Sequence, residues 1–81
     1  MPERTKAVID ALLEVSNDST IPKNVREKVN NIIQSLKQED ELSMKIDRAL
    51  HDLEAISEDS NLQSYTRTQV WNIVSMLETM N

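Results

Sequence analysis

Three groups of side chains have types and spacings that suit chemistry. The first is the pair of stretches "SNDSTIPKNVREKV" (16–29) and "SEDSNLQSYTRTQV" (57–70), each placing acids, hydroxyls and an Arg within a few residues. Arg26 and Arg67 fall beside the apolar stripe of a helix. They are expected to bond carbonyls of the preceding turn or to pair with Asp18 and Asp59. The alternative is a pair of equivalent partner- or anion-binding groups. The second group is Arg67 with Trp71, the only Trp, one helical turn later, where stacking of cation on ring is possible. Trp and Arg on a flank are common anchors of protein interfaces, so Arg67, Trp71 and Arg26 form the candidate partner-binding set. The competing reading of Trp71 is that it closes the edge of the core.

The third group is Asp47, His51, Glu54 and Glu58, spaced four, three and four along one polar face. Carboxylate and imidazole at i, i+4 can share a divalent cation. The order His-x-x-Glu reverses the Glu-x-x-His of di-iron bundles, and the face points to solvent. A solvated acidic face is the expected reading, and neither a metal nor another cofactor is assigned. No Ser, Cys or Lys nucleophile accompanies His51, so it is not read as a general base. Asn31 and Asn72 point away from the apolar stripe, as drift after duplication or as groups bonded to a partner.

Four segments must position these groups. Apolar residues recur at helical spacing in Val8, Ile9, Leu12, Val15; in Val25, Val29, Ile32, Ile33, Leu36; in Leu42, Ile46, Ala49, Leu50, Leu53, Ile56; and in Val70, Ile73, Val74, Leu77, with Met80 trailing. No strand alternation appears. The expected loops are 17–21, 38–41 and 58–62, built from residues that bond their own backbone. Pro22 is expected in the opening turn of the second helix, Asp40 as the cap of the third, and Ser60 with Gln63 as a capping box for the fourth. Met44 and Met76 are expected at the core edge.

Sliding the chain by 41 places Val8–Lys37 on Ala49–Glu78. The pairs Leu12/Leu53, Ser16/Ser57, Asp18/Asp59, Ser19/Ser60, Arg26/Arg67, Val29/Val70, Asn31/Asn72, Ile32/Ile73 and Leu36/Leu77 are identical. Unrelated segments of 30 residues would share roughly two such pairs at ordinary compositions. The chain therefore reads as one all-α domain over 1–81: two tandem helix-turn-helix units, 8–37 and 49–78, joined by a linker at 38–41. A period near 40 with two helices per unit is that of helical solenoids. So few units raise the prospect of self-association or of a compact bundle, and the expected fold is a compact four-helix array of HEAT-like character.

Composition excludes much else. The 81 residues hold no Gly and no Cys. Gly-rich phosphate cradles, tight hairpins, disulfides, thiolate catalysis and Cys-ligated zinc are thereby removed. Net charge is −5, with six basic and seven acidic side chains in 1–40 but three and seven in 41–81. Nucleic-acid binding is not expected, because phosphate affinity comes from clustered Lys and Arg. The charged opening "MPERTKAVIDALLEV" is not expected to be a secretory signal, and no apolar run approaches the ~20 residues of a membrane span.

"NVREKVNNIIQSL", after an Asp-containing turn, resembles the second helix of HEAT repeats, although Asp18 to Arg26 is a longer spacing and the second unit reads Thr66-Arg67 for Val-Arg. Over nearly the whole chain the sequence resembles an archaeal family of short acidic helical proteins, uncharacterised protein family 0147. That likeness is carried by "IPKNVR" after a polar turn, by the link "QEDE" and by the ending "RTQVWNIVSMLE". It implies an all-helical fold and an archaeal cytoplasmic setting, and carries no function. The functional expectation is a non-enzymatic protein–protein interaction module or adaptor. A structural homodimer is the alternative, and a metal- or nucleotide-dependent enzyme assembled on oligomerisation stands last.

Overall fold

The computed structural model describes residues 3–80, so the outermost residues of the 1–81 domain lie outside the described residues. It contains α1 (Glu3–Ser16), α2 (Lys23–Lys37), α3 (Leu42–Ser57) and α4 (Ser64–Glu78). No strand is present among the described residues, and no helix is long and apolar enough to cross a membrane. The fold is all-α.

Each apolar stripe is buried as its spacing dictates. Every stripe residue of α1, α2 and α4 is buried, as are Ile46, Ala49, Leu53 and Ile56 of α3, while Leu50 and Met80 pack partly buried against them. Leu42 departs from the expectation. It is the first residue of α3, at the outer end of the stripe, and stays 38% exposed. Met44 is likewise exposed instead of at the core edge; Met76 is packed there as expected.

The helix starts differ from the capping patterns. The residues flanking α2, α3 and α4 are Pro22, Glu41 and Gln63, all extended and none capping through its side chain. Pro22 thus precedes the helix instead of opening its first turn. Asp40 does accept a hydrogen bond from the Glu41 N–H at 3.0 Å, one residue earlier than a helix cap would. The capping box at Ser60 does not form, because Asp59 has already drawn the chain into a turn by accepting the Asn61 N–H at 2.8 Å. That turn lowers Leu62 into the core, and Ile21 is buried at the matching place in the first hairpin.

The helices form a closed ring. α1 packs on α2 and α4, and α3 packs on α2 and α4; among the described residues neither diagonal pair approaches. A HEAT-like stack would set α3 beside α1 and α4 beside α2 instead. The reason is apolar burial: with two hairpins, packing them face to face covers all four stripes at once, whereas stacking leaves a flank of each open. The resulting body measures 32 × 19 × 18 Å.

One core position carries a misfit. Thr5 lies on the α1 stripe, 1% exposed, with a hydroxyl that has no hydrogen-bond partner. Its counterpart 41 residues on is Ile46, fully buried. Burying an unpaired hydroxyl costs about 1–3 kcal/mol. Thr5→Val is therefore expected to raise the melting temperature by several degrees, at about 4–8 °C per kcal/mol for a domain of this size. Thermal unfolding followed by circular dichroism measures it, and an unchanged or lower midpoint contradicts the assignment.

Candidate functional site

The two polar stretches fold into two copies of one device, an Asp turn clasped by an Arg. In the first hairpin Arg26 donates from Nε to the Ser16 carbonyl at 3.1 Å and from Nη2 to the Asp18 carbonyl at 2.9 Å. In the second, Arg67 donates to Ser57 at 3.1 Å and to Asp59 at 2.9 Å, with Leu62 at 3.5 Å. Both guanidinium groups are half-buried. Of the two structural alternatives, carbonyl bonding is the one realised; the Asp side chains go elsewhere. They accept backbone N–H groups two residues on, at Thr20 and Asn61, each at 2.8 Å.

The clasp has an electrostatic reason. Neither α1 nor α3 has a basic residue in its last turn, where terminal carbonyls leave partial negative charge. The Arg of the following helix supplies that cation. A planar fork suits this task, since it can bond two carbonyls at once. In each guanidinium these bonds come from Nε and Nη2, and none of them uses Nη1.

Trp71 follows Arg67 by one turn on the outer part of α4 and is 49% exposed. It lies outside the buried core. Tyr65 is more exposed still, its hydroxyl 3.5 Å from Gln69 Nε2. Arg67 and Trp71 therefore share a helical face, while Arg26 belongs to the other hairpin and has Asn30 where α4 has Trp71.

The acidic face of α3 does not form a ligand set. Among the described residues no three His, Cys, Asp or Glu side chains come together as a metal site would require. His51 is exposed and lines a groove between α2 and α3 with Lys28, Asn31, Asp52 and Ala55. Asn72 lines the corresponding groove between α4 and α1 with Gln69, Ala11 and Glu14. The matched asparagines thus occupy matched surface grooves, both open to solvent.

One contact crosses between hairpins at the clasp. Thr66, fully buried, places its Oγ1 3.5 Å from Asp18 Oδ2. The sequence carried a signal for it: Thr66 falls on the apolar stripe of α4, where a polar residue needs an internal partner. Hydrogen bonds from the Thr20 hydroxyl (2.6 Å) and N–H hold the Asp18 carboxyl below the usual carboxylate range. Desolvation opposes these two bonds more weakly than they act, and Thr66 and Arg26 add lesser effects that lower the pKa further. A carboxyl depressed in the folded state contributes stability that is complete above its unfolded pKa, near ~3.9, and is lost as pH falls through the folded value. Acid unfolding of Asp18→Asn is therefore expected to be flatter than that of the parent below pH ~4. Thr66→Val, which installs the residue found at Val25, keeps the fold and weakens this dependence only in part. Identical acid profiles for parent and Asp18→Asn exclude Asp18 as a contributor.

A closed bundle of two face-to-face hairpins, each locked by an Arg-clasped turn, defines the structural class: a minimal all-α scaffold with a single aromatic–Arg face. The chain belongs to Uncharacterised protein family (UPF0147), whose model matches residues 1–80. It is 42% identical over 79 residues to a UPF0147 protein of Methanocaldococcus jannaschii, covering 94% of this chain and 83% of that one. A UPF0147 protein of Archaeoglobus fulgidus is 39% identical over 71 residues, 88% and 82% of the respective chains. Two crystal structures share the fold. The family member from Thermoplasma acidophilum superposes with a TM-score of 0.91 at 33% identity, over 96% of this chain and 93% of that one. The unknown function protein MMP1188 gives 0.90 at 39% identity, over 98% and 91%.

Proposed function

We propose that this protein is a non-enzymatic interaction module of the archaeal cytoplasm that docks a protein partner on the Arg67–Trp71 face of α4. The observation that carries the reading is Trp71 itself. A half-exposed indole costs apolar hydration, and here it stands on a helix whose start is fixed by the Arg67 clasp. A preorganised aromatic anchor loses little conformational entropy on binding. Arg67 Nη1 offers a donor one turn away, so the partner that fits presents an apolar pocket beside a carboxylate or a carbonyl. Arg26 offers the same donor on the other hairpin without the aromatic neighbour.

The test is Trp71→Asn, which substitutes the residue of the matching position in the first hairpin. Captured partners, identified from cells producing the tagged parent protein, are titrated against purified parent and variant. Affinity is expected to fall tenfold or more, about 1.4 kcal/mol, with a melting temperature within a few degrees of the parent. Equal affinities with every captured partner would remove this face from consideration.

A further inference from the structure

One polar contact between the two hairpins comes as an exchanged pair, while Arg48–Ser35 and Thr66–Asp18 have no such counterpart. Arg4 of α1 donates from Nη1 to the Thr79 carbonyl after α4 at 3.4 Å. Moving each residue by 41 gives Lys45 of α3 and Gln38 after α2, and Lys45 Nζ donates to the Gln38 carbonyl at 3.1 Å. The helix neighbours exchange in the same way, α1 on α4 becoming α3 on α2. This is the geometry of an isologous interface, in which one patch meets a copy of itself across a twofold axis. Here both patches happen to lie in one chain.

The three connections are not equally fixed. The turns at 17–22 and 58–63 are each held by an Arg clasp and an Asp side chain. The link at 38–41 has no Arg clasp; the single ammonium of Lys45 bonds the Leu36 and Gln38 carbonyls at 3.2 and 3.1 Å, and it comes from α3, across the link. Its four residues are exposed, and their own side chains make the Asp40–Glu41 N–H bond, a Ser43 hydroxyl bond to Glu41 at 3.3 Å and an exposed Arg48–Asp40 pair at 3.9 Å, of a kind worth little. Gln38 and Glu41 are extended, at φ −74°, ψ 152° and φ −61°, ψ 130°. "QEDE" contains no Gly or Pro, and Gln and Glu are good helix formers. Turning these residues to helical ψ joins α2 and α3 into one helix and carries the second hairpin away from the first.

We infer that a second copy of this chain is a fitting partner, each hairpin packing on the other chain's complementary hairpin, with 38–41 as the hinge. Such an exchanged dimer keeps the buried contacts between hairpins and both Arg clasps, and replaces the reversal at 38–41 together with the bonds made there by Gln38, Asp40 and Glu41.

Two surface variants push the hinge in opposite directions. Asp40→Ala removes the Asp40 bonds to the Glu41 N–H and to Arg48 and favours helix. Glu41→Pro matches the existing φ of −61° but removes an N–H that a continuous helix needs. Parent and variants are unfolded, refolded at millimolar concentration and separated by analytical ultracentrifugation. The dimer fraction is expected to rise severalfold in Asp40→Ala and to vanish in Glu41→Pro. To locate the contact, an Asp18→Cys copy is co-refolded with a Thr66→Cys copy and treated with a short bifunctional thiol reagent. These positions face each other only between hairpins, so interchain cross-linking in the dimer fraction supports exchange. Monomers throughout, or dimers that survive Glu41→Pro and do not cross-link, overturn it. Trp71→Asn leaves the exchanged dimer intact, so this result stands apart from the fate of the α4 face.

Discussion

Truncating Leu53 to alanine is expected to lower the unfolding free energy by about 3–4 kcal/mol, and Leu12→Ala to do the same. Both side chains are fully buried, on α3 and α1, and they occupy the same position of the two hairpins. Loss of three carbons removes transfer free energy and leaves a cavity that close-packed neighbours fill only partly. Stability of roughly 0.05–0.15 kcal/mol per residue amounts to about 4–12 kcal/mol for a chain of this length. Either variant thus loses a large share of what holds the bundle together. Urea denaturation is expected to show a lower midpoint with an unchanged slope. Leu13, next in sequence to Leu12 but 39% exposed, provides the contrast: Leu13→Ala should cost well under half as much. Similar losses at Leu12 and Leu13 would mean that burial does not rank these positions.

That ranking was legible before any coordinates, because a helical stripe states which side of each helix is apolar. Three of the four stripes are buried without exception; in the fourth Leu50 is only partly buried, and Leu42 stays exposed where the stripe runs out at the first residue of the helix. What a stripe cannot state is which helix it meets. The compact four-helix array expected from the repeat is realised, while its HEAT-like character is not: burial of all four stripes by only two units is met by turning one hairpin against the other. Helix starts were misread for a related reason. Ser60, Gln63 and Asp40 have side chains suited to caps, but turn formation at Asp59 and the burial of Leu62 delay α4 to Ser64. In the candidate site, the roles of Arg26 and Arg67 followed from their place beside the stripe and their recurrence at 41 residues. The link from Thr66 to Asp18 spans 48 residues, and no local pattern encodes its partner.

Arg67→Ala, and equally Arg26→Ala, should destabilise the fold by about 2–3 kcal/mol, a fall of roughly 10–20 °C in melting temperature. Each Arg bonds two carbonyls at the end of the preceding helix, Ser57 and Asp59 or Ser16 and Asp18, at 2.9–3.1 Å from a half-buried position. A surface ion pair would be worth little, but these are charge-assisted bonds, and the Ser16 and Ser57 carbonyls end helices in which no later N–H reaches them. Removing the guanidinium takes the side-chain donor from the Ser carbonyl, leaves the Asp carbonyl only the turn N–H of Leu62 or Ile21, and strips the cation from a helix terminus that lacks one of its own. Lysine restores the charge but not the fork, so Arg67→Lys is expected to recover less than half of the loss. Paired thermal melts of the alanine and lysine variants at both positions decide the matter. Equal, large losses at Arg26 and Arg67 make the clasp a structural device used twice. A loss confined to Arg26, with Arg67→Ala nearly neutral, would instead mean that Arg67 has been released from that duty, in favour of the surface it shares with Trp71.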